Sequence, residues 1–128
     1  MPVYTLACRK ALPDTSRKRI ADAITDIHCE TTGAPSEFVN VVFMDGHRVK
    51  GGKQIAVNGN VRSGGNRNEE LTDRLRDKLH AGIAAAAGLA EPSVAVTLIG
   101  FPASWAMEGG EILPEPGAED AWLKRKTD

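Results

Sequence analysis

At 128 residues, with 41% hydrophobic and 26% charged side chains, the chain has the makings of one globular domain around one core. A net charge of −1 removes any general electrostatic case for nucleic acid or an anionic membrane as partner. No apolar run approaches the roughly 20 residues that span a bilayer, no basic stretch leads into an apolar one at the start, and Cys8 and Cys29 form neither a metal pair nor a disulfide framework. A reducing cytoplasm is the expected location.

The chain opens Met1-Pro2-Val3-Tyr4-Thr5-Leu6-Ala7-Cys8, a proline followed by a strand-like run. If Met1 is removed, Pro2 carries a secondary amine at the chain's start. An ordinary α-amino group titrates at about 7.7–8.0, so this one could act as base or acid near neutral pH. The plainer alternative is an unremarkable second residue.

After that strand, Pro13-Asp14-Thr15-Ser16 offers helix N-caps. Ile20, Ala23, Ile24 and Ile27 fall at helical spacing. Gly33 and Pro35 close the helix, and Phe38 to Met44, β-branched and aromatic, reads as a second strand. The polar, Gly-rich stretch from Asp45 to Lys53 is a loop or hairpin.

The same pattern then returns. Gln54 to Val61 reads as a strand, Asn66 or Asn68 as a cap, and Leu71, Leu75, Leu79 and Ile83 as an apolar helical stripe. Gly88 and Pro92 close this helix, and Ser93 to Ile99 makes a fourth strand. The expectation is an α+β fold within one domain over residues 1–128. Two βαβ pseudo-repeats, about 1–44 and 54–99, form a four-stranded sheet with two helices on one face. The Pro- and Gly-rich tail, residues 100–128, holds Trp105 and Trp122, which need cover from this subunit or another.

Several residues could carry chemistry. Arg62 and Arg67 flank Ser63-Gly64-Gly65-Asn66 on the loop leaving the third strand. Paired guanidiniums at a helix N-terminus suit a carboxylate or phosphate, although two solvated arginines would look the same in sequence. No Gly-Lys-Ser/Thr follows, so a Walker loop is absent. His28 lies on the stripe of the first helix, where a satisfied core histidine is the plain alternative. Glu108, among apolar and glycine residues, could orient or activate a water. His28, His47 and His80 lack metal-ligand spacing, so neither metal nor cofactor is expected.

Taken together and in order, these segments resemble the tautomerase superfamily, closest to its cis-3-chloroacrylic acid dehalogenase-like branch. The similarity rests on Met1-Pro2-Val3-Tyr4, Ala23-Ile24-Thr25-Asp26-Ile27-His28, Gly59-Asn60-Val61-Arg62 through Arg67, Phe101-Pro102-Ala103, Met107-Glu108 and Leu113-Pro114-Glu115-Pro116-Gly117. It covers nearly the whole chain. It implies a trimer, removal of Met1, and catalysis by Pro2. It also implies substrate-carboxylate binding by Arg62 and Arg67, substrate binding or carbonyl polarisation by His28, and water activation by Glu108 in hydrolytic members. Where that branch carries an active-site tyrosine on the fourth strand, this chain has Thr97, a shorter and weaker acid. The resemblance thus implies keto-enol tautomerisation of a small 2-oxo or enol acid. The alternative is dehalogenation, hydration or decarboxylation of an unsaturated acid, with a charged Pro2 and water held by Glu108. A third reading is a non-enzymatic module with the ferredoxin-like βαββαβ order.

Overall fold

The computed structural model describes residues 2–127. Its strands are β1 (Val3–Cys8), β2 (Asn40–Met44), β3 (Ile55–Ser63) and β4 (Val94–Pro102). Helix α1 (Asp14–Thr32) joins β1 to β2, and α2 (Glu69–Ala87) joins β3 to β4. The tail carries a small hairpin, β5 (Met107–Glu108) with β6 (Glu111–Ile112), and a final helix α3 (Glu119–Thr127). The strand order is β2-β1-β3-β4: β1 lies parallel to β2 and antiparallel to β3, and β3 lies parallel to β4. This is the expected doubled βαβ sheet.

The order also separates the fold from the ferredoxin-like arrangement. There the strands of one βαβ unit are split by another strand. Here β1 pairs directly with β2, and β3 directly with β4.

The helices end where glycine permits. Gly33 and Gly88 take left-handed conformations, and their N–H groups close on Cys29 O and on Ala84 and Ala85 O respectively. Asn68 is the cap of α2, its Oδ1 accepting from Leu71 N–H at 2.8 Å. Asn66 instead donates to Thr32 O at 3.4 Å. Pro13 occupies the cap position of α1 without a side-chain cap bond, and Asp14 is already helical.

Four boundaries depart from the sequence reading. Ser36–Phe38 is a 3₁₀ turn after Pro35, so β2 begins at Asn40; Phe38 turns inward to a second apolar cluster. The third strand starts one residue later than expected and continues to Ser63, and the fourth continues to Pro102, because the parallel pairing runs on through Arg62–Phe101 and Ser63–Pro102. Residues 45–53 are not a hairpin, because β2 and β3 lie on opposite sides of β1. A 3₁₀ turn at Lys50–Gly52 makes the crossover, held by Arg9 donating to Val49 O and Lys53 O.

One sheet face carries Tyr4, Leu6, Ile55, Val57, Val61 and Val94 against Ile20, Ile24, Leu75, Leu79 and Ile83 of the helices. This alternation builds the main core. The other face is open and carries exposed Val42, Met44 and Ile99. The tail packs on its own domain: Phe38, Ala106, Leu113 and Trp122 form a second cluster, and Trp122 Nε1 donates to Ile112 O at 3.1 Å. Trp105 does not share in this and is 78% exposed.

Candidate active site

Topology brings the candidate residues to one end of the sheet. β1 and β2 start there, at Val3 and Asn40, and β3 and β4 finish there, at Ser63 and Pro102. Helix α1 returns to the same end, carrying His28 one turn before its close. The loop with Arg67 and the tail both leave from it. The chain therefore gathers Pro2, His28, Arg62 and Arg67 from residues up to 65 positions apart without any long excursion.

Pro2 is fully buried, and its carbonyl accepts from Asn40 N–H at 3.0 Å. Removal of Met1 concerns a residue outside those described.

His28 is fully buried against Tyr4. The Tyr4 hydroxyl lies 2.6 Å from His28 Nδ1, and the rings meet edge-on at 5.7 Å. His28 Nε2 has no hydrogen-bond partner. Burial lowers the imidazole pKa to about 3, with Arg67 and then Arg62 reinforcing the shift by repelling a proton. Burial pushes the Tyr4 phenol above its ordinary range, with Arg67 opposing. Both rings are therefore neutral near pH 7.

An acid sensitivity follows. The unfolded imidazole takes up a proton below about pH 6.5, whereas the folded one does so only near pH 3. Between those values the unfolded state binds more protons, so stability falls as pH drops. Urea unfolding at pH 7, 5 and 4 is expected to show this slope, and His28→Gln to flatten it. An equal slope in both proteins would contradict the burial of a neutral imidazole.

The two arginines differ. Arg62 is 1% exposed, and its Nη2 donates to Glu119 Oε1 at 2.7 Å while Nη1 donates to Pro114 O. Its guanidinium also lies 5.9 Å from the centre of the Phe38 ring. Arg62 is thus tied to the tail, with only Nε unpartnered. Arg67 uses Nη1 to hold Arg62 O at 3.1 Å, leaving Nε and Nη2 buried without partners. Burial, then the Arg62 charge, lowers its pKa, with Glu119 and Tyr4 opposing. Unpaired buried donors on a cation are costly, and an anionic ligand would satisfy them.

An open cavity of about 520 Å³ lies beside this loop, lined by Arg62, Arg67, Thr72 and Asp73 among others but not by His28 or Pro2. Thr97 is exposed, on the open face opposite Asn58, whereas Tyr4 and His28 lie on the helix-covered side. Glu108 is exposed on β5, in the tail hairpin. The single chain thus brings His28, Tyr4 and the arginines together and leaves Thr97 on the other face of the sheet. Among the described residues no group of three or more His, Cys, Asp or Glu could hold a metal ion, and no helix is long and apolar enough to cross a membrane.

Two participants escaped the sequence reading. Tyr4 sits at the inward-facing parity of Leu6 and Cys8, and a phenol there must find a partner, which was the available signal. Glu119 lies 57 positions from Arg62, and no local pattern marks that pair.

No protein-family model matches the chain, and no curated protein matches it significantly. Solved structures do. N1, a member of the cis-3-chloroacrylic acid dehalogenase family, superposes with a TM-score of 0.83 at 26% identity, covering 95% of this chain and 90% of that one. Native Ps01740 gives 0.68 at 27% identity, with 83% and 99% covered. A fused 4-OT, described as a wild-type symmetric trimer, gives 0.75 at 19% identity, with 87% and 94% covered; that likeness is one of fold. With the doubled βαβ sheet, the Pro2 strand and the arginine loop in the expected order, these likenesses indicate the tautomerase superfamily, similar to its cis-3-chloroacrylic acid dehalogenase-like branch.

Proposed function

We propose that the protein is a tautomerase that uses the secondary amine of Pro2 to interconvert keto and enol forms of a small 2-oxo carboxylic acid, of phenylpyruvate or hydroxymuconate type. The observation that carries this reading is the set of buried nitrogens without hydrogen-bond partners, Arg67 Nε and Nη2 and His28 Nε2, at the end of the sheet where β1 begins. A substrate bearing a carboxylate and a neighbouring carbonyl supplies the missing partners, with His28 Nε2 protonated. Arg67 takes the carboxylate, and His28 takes the carbonyl oxygen, drawing electron density from the carbon between them. Arg62 contributes charge, and Thr97 and Glu108 are the remaining substrate-side candidates.

The amine, when neutral, removes a proton from the carbon next to the carbonyl. The C–H electron pair becomes the enol double bond, and the carbonyl oxygen takes the same proton from the ammonium so formed, which returns the amine to its neutral state. The reverse path returns the proton to carbon. The Arg67 guanidinium, which has no counterion of its own among the described residues, disfavours an ammonium at this end of the sheet and supports the neutral form. Hydration or dehalogenation would need Glu108 to hold a water beside a charged Pro2. Thr97, a weak acid on the opposite sheet face, supports that route less.

A homotrimer belongs to the same proposal. The open sheet face with Val42, Met44 and Ile99 suits cover by neighbouring subunits, and one structural neighbour is described as a trimer. No cofactor is needed.

Intact mass should show loss of Met1. Pro2→Ala is expected to lower turnover of phenylpyruvate enol by about 10²–10⁴-fold with the fold retained, the range typical of a positioned general base. An NMR titration should place the amine below neutrality. Near-wild-type turnover in the variant would sink the reading.

A further inference from the structure

Tyr4 and His28 hold each other in a way that decides where the imidazole proton sits. Both side chains are fully buried, and the 2.6 Å contact joins the phenol oxygen to Nδ1. Two proton arrangements fit that distance. If Nδ1–H donated to the phenol, the Tyr4 O–H would itself need another buried acceptor, and Nε2 would become a bare acceptor. If the Tyr4 O–H donates to Nδ1, both partners are satisfied by one bond, and the imidazole proton must lie on Nε2. The second arrangement orphans fewer groups.

The surroundings agree. The environment keeps both rings uncharged, so neither a phenolate nor an imidazolium competes. The Tyr4 ring is also held in place. Gly59 stands directly opposite Tyr4 in the antiparallel pair. A Cβ added there would lie 2.7 Å from Tyr4 Cε1, so only glycine leaves room for the ring on β3. The hydroxyl is therefore aimed by the sheet itself, not by a mobile loop.

We propose that Tyr4 is a positioning residue, whose hydroxyl donates to His28 Nδ1 and thereby fixes the proton on Nε2 as a donor toward the substrate oxygen. The hydrogen bond and the tautomer stand on the geometry alone; the role toward substrate rests on the tautomerase reading. A histidine of the other tautomer would present a lone pair to an oxygen that is gaining negative charge, and would repel it.

The test is ¹⁵N NMR of histidine-labelled protein at pH 7. Wild type should show the His28 ring with Nε2 protonated and Nδ1 as a hydrogen-bonded acceptor. A protonated Nδ1 in wild type would overturn the proposal. In Tyr4→Phe the hydrogen-bonded Nδ1 signature should disappear, and kcat for phenylpyruvate enol should fall by about 3- to 10-fold, the worth of one neutral hydrogen bond. An unchanged Nδ1 signal, or an unchanged kcat, would also overturn it. In a His28→Gln background, Tyr4→Phe should cause no further loss, because Tyr4 acts through the imidazole; a further loss of similar size would make its role structural. Failure of the tautomerase reading looks different. It appears as full turnover in Pro2→Ala, with the wild-type His28 tautomer as proposed.

Discussion

Glu119→Ala is expected to release the C-terminal helix from the domain. Arg62 and Glu119 are 1% and 7% exposed and meet at 2.7 Å, so the pair is desolvated on both sides. Deleting one member of such a pair leaves a buried charge without its counterion and typically costs about 3–5 kcal/mol. The domain has a cheaper way out than unfolding. The tail can lift away and hydrate Arg62, so the observed cost is capped at the docking energy of the tail. That docking rests on Trp122 and Leu113 beside Phe38, the bond from Trp122 to Ile112 O, and the Arg62 bonds to Pro114 and Glu119. The expected result is local. Amides from Leu113 to Lys124 lose hydrogen-exchange protection and Trp122 fluorescence shifts to that of a wetter indole, while α1 and α2 keep theirs. Glu119→Gln keeps an acceptor for Gly117 N–H and should show roughly half the effect. Unchanged exchange in the tail would mean that the ion pair does not hold it.

Arg67→Ala should strike the chemistry with less cost to the fold. Its Nε and Nη2 lack partners, and its one hydrogen bond reaches the Arg62 carbonyl. Losing one partner of a buried charged contact to substrate costs about 2–5 kcal/mol, which is roughly 30-fold to several-thousand-fold in kcat/KM. Most of this should appear as a raised KM for carboxylate substrates, with urea stability near wild type. Arg67→Lys keeps the charge and loses the planar fork, so it should recover only part of the loss. Wild-type kinetics in Arg67→Ala would remove it from the site. Arg62→Ala should behave differently, because that arginine already serves Pro114 and Glu119; its first effect should be the tail release expected of Glu119→Ala.

Much of this arrangement was legible in the sequence, for local reasons. Gly33 and Gly88 each close a helix through a left-handed residue, a requirement that acts on the residue itself. The i+4 stripe Leu75, Leu79 and Ile83 and the alternation in β1 record burial directly. Phe38 misled because an aromatic side chain suits a strand and a cluster anchor equally, and only the tail's position separates the two. The tail's second half was harder still. Residues 119–127 lack an apolar stripe and become a docked helix through Trp122 and Glu119, both of which answer distant residues. Pro2, His28, Arg62 and Arg67 could be singled out as candidates in advance, and the fold brings them to one end of the sheet. That Arg62 would be occupied by the tail and Arg67 left with open donors could not be foreseen, because the difference depends on Glu119.

The central placement of β1 has a consequence for the growing chain. Its partners come late: Val3 pairs with Asn60 on one side and Asn40 on the other. Contacts that span so much chain form slowly and only after long loops close. Until residues 55–63 have been synthesised, the first strand lacks its antiparallel neighbour and its amino end stays open to processing enzymes. Once the sheet closes, Pro2 is buried. If Met1 is removed, as proposed, the residue proposed to do the chemistry would have to be uncovered before the sheet that shelters it is complete.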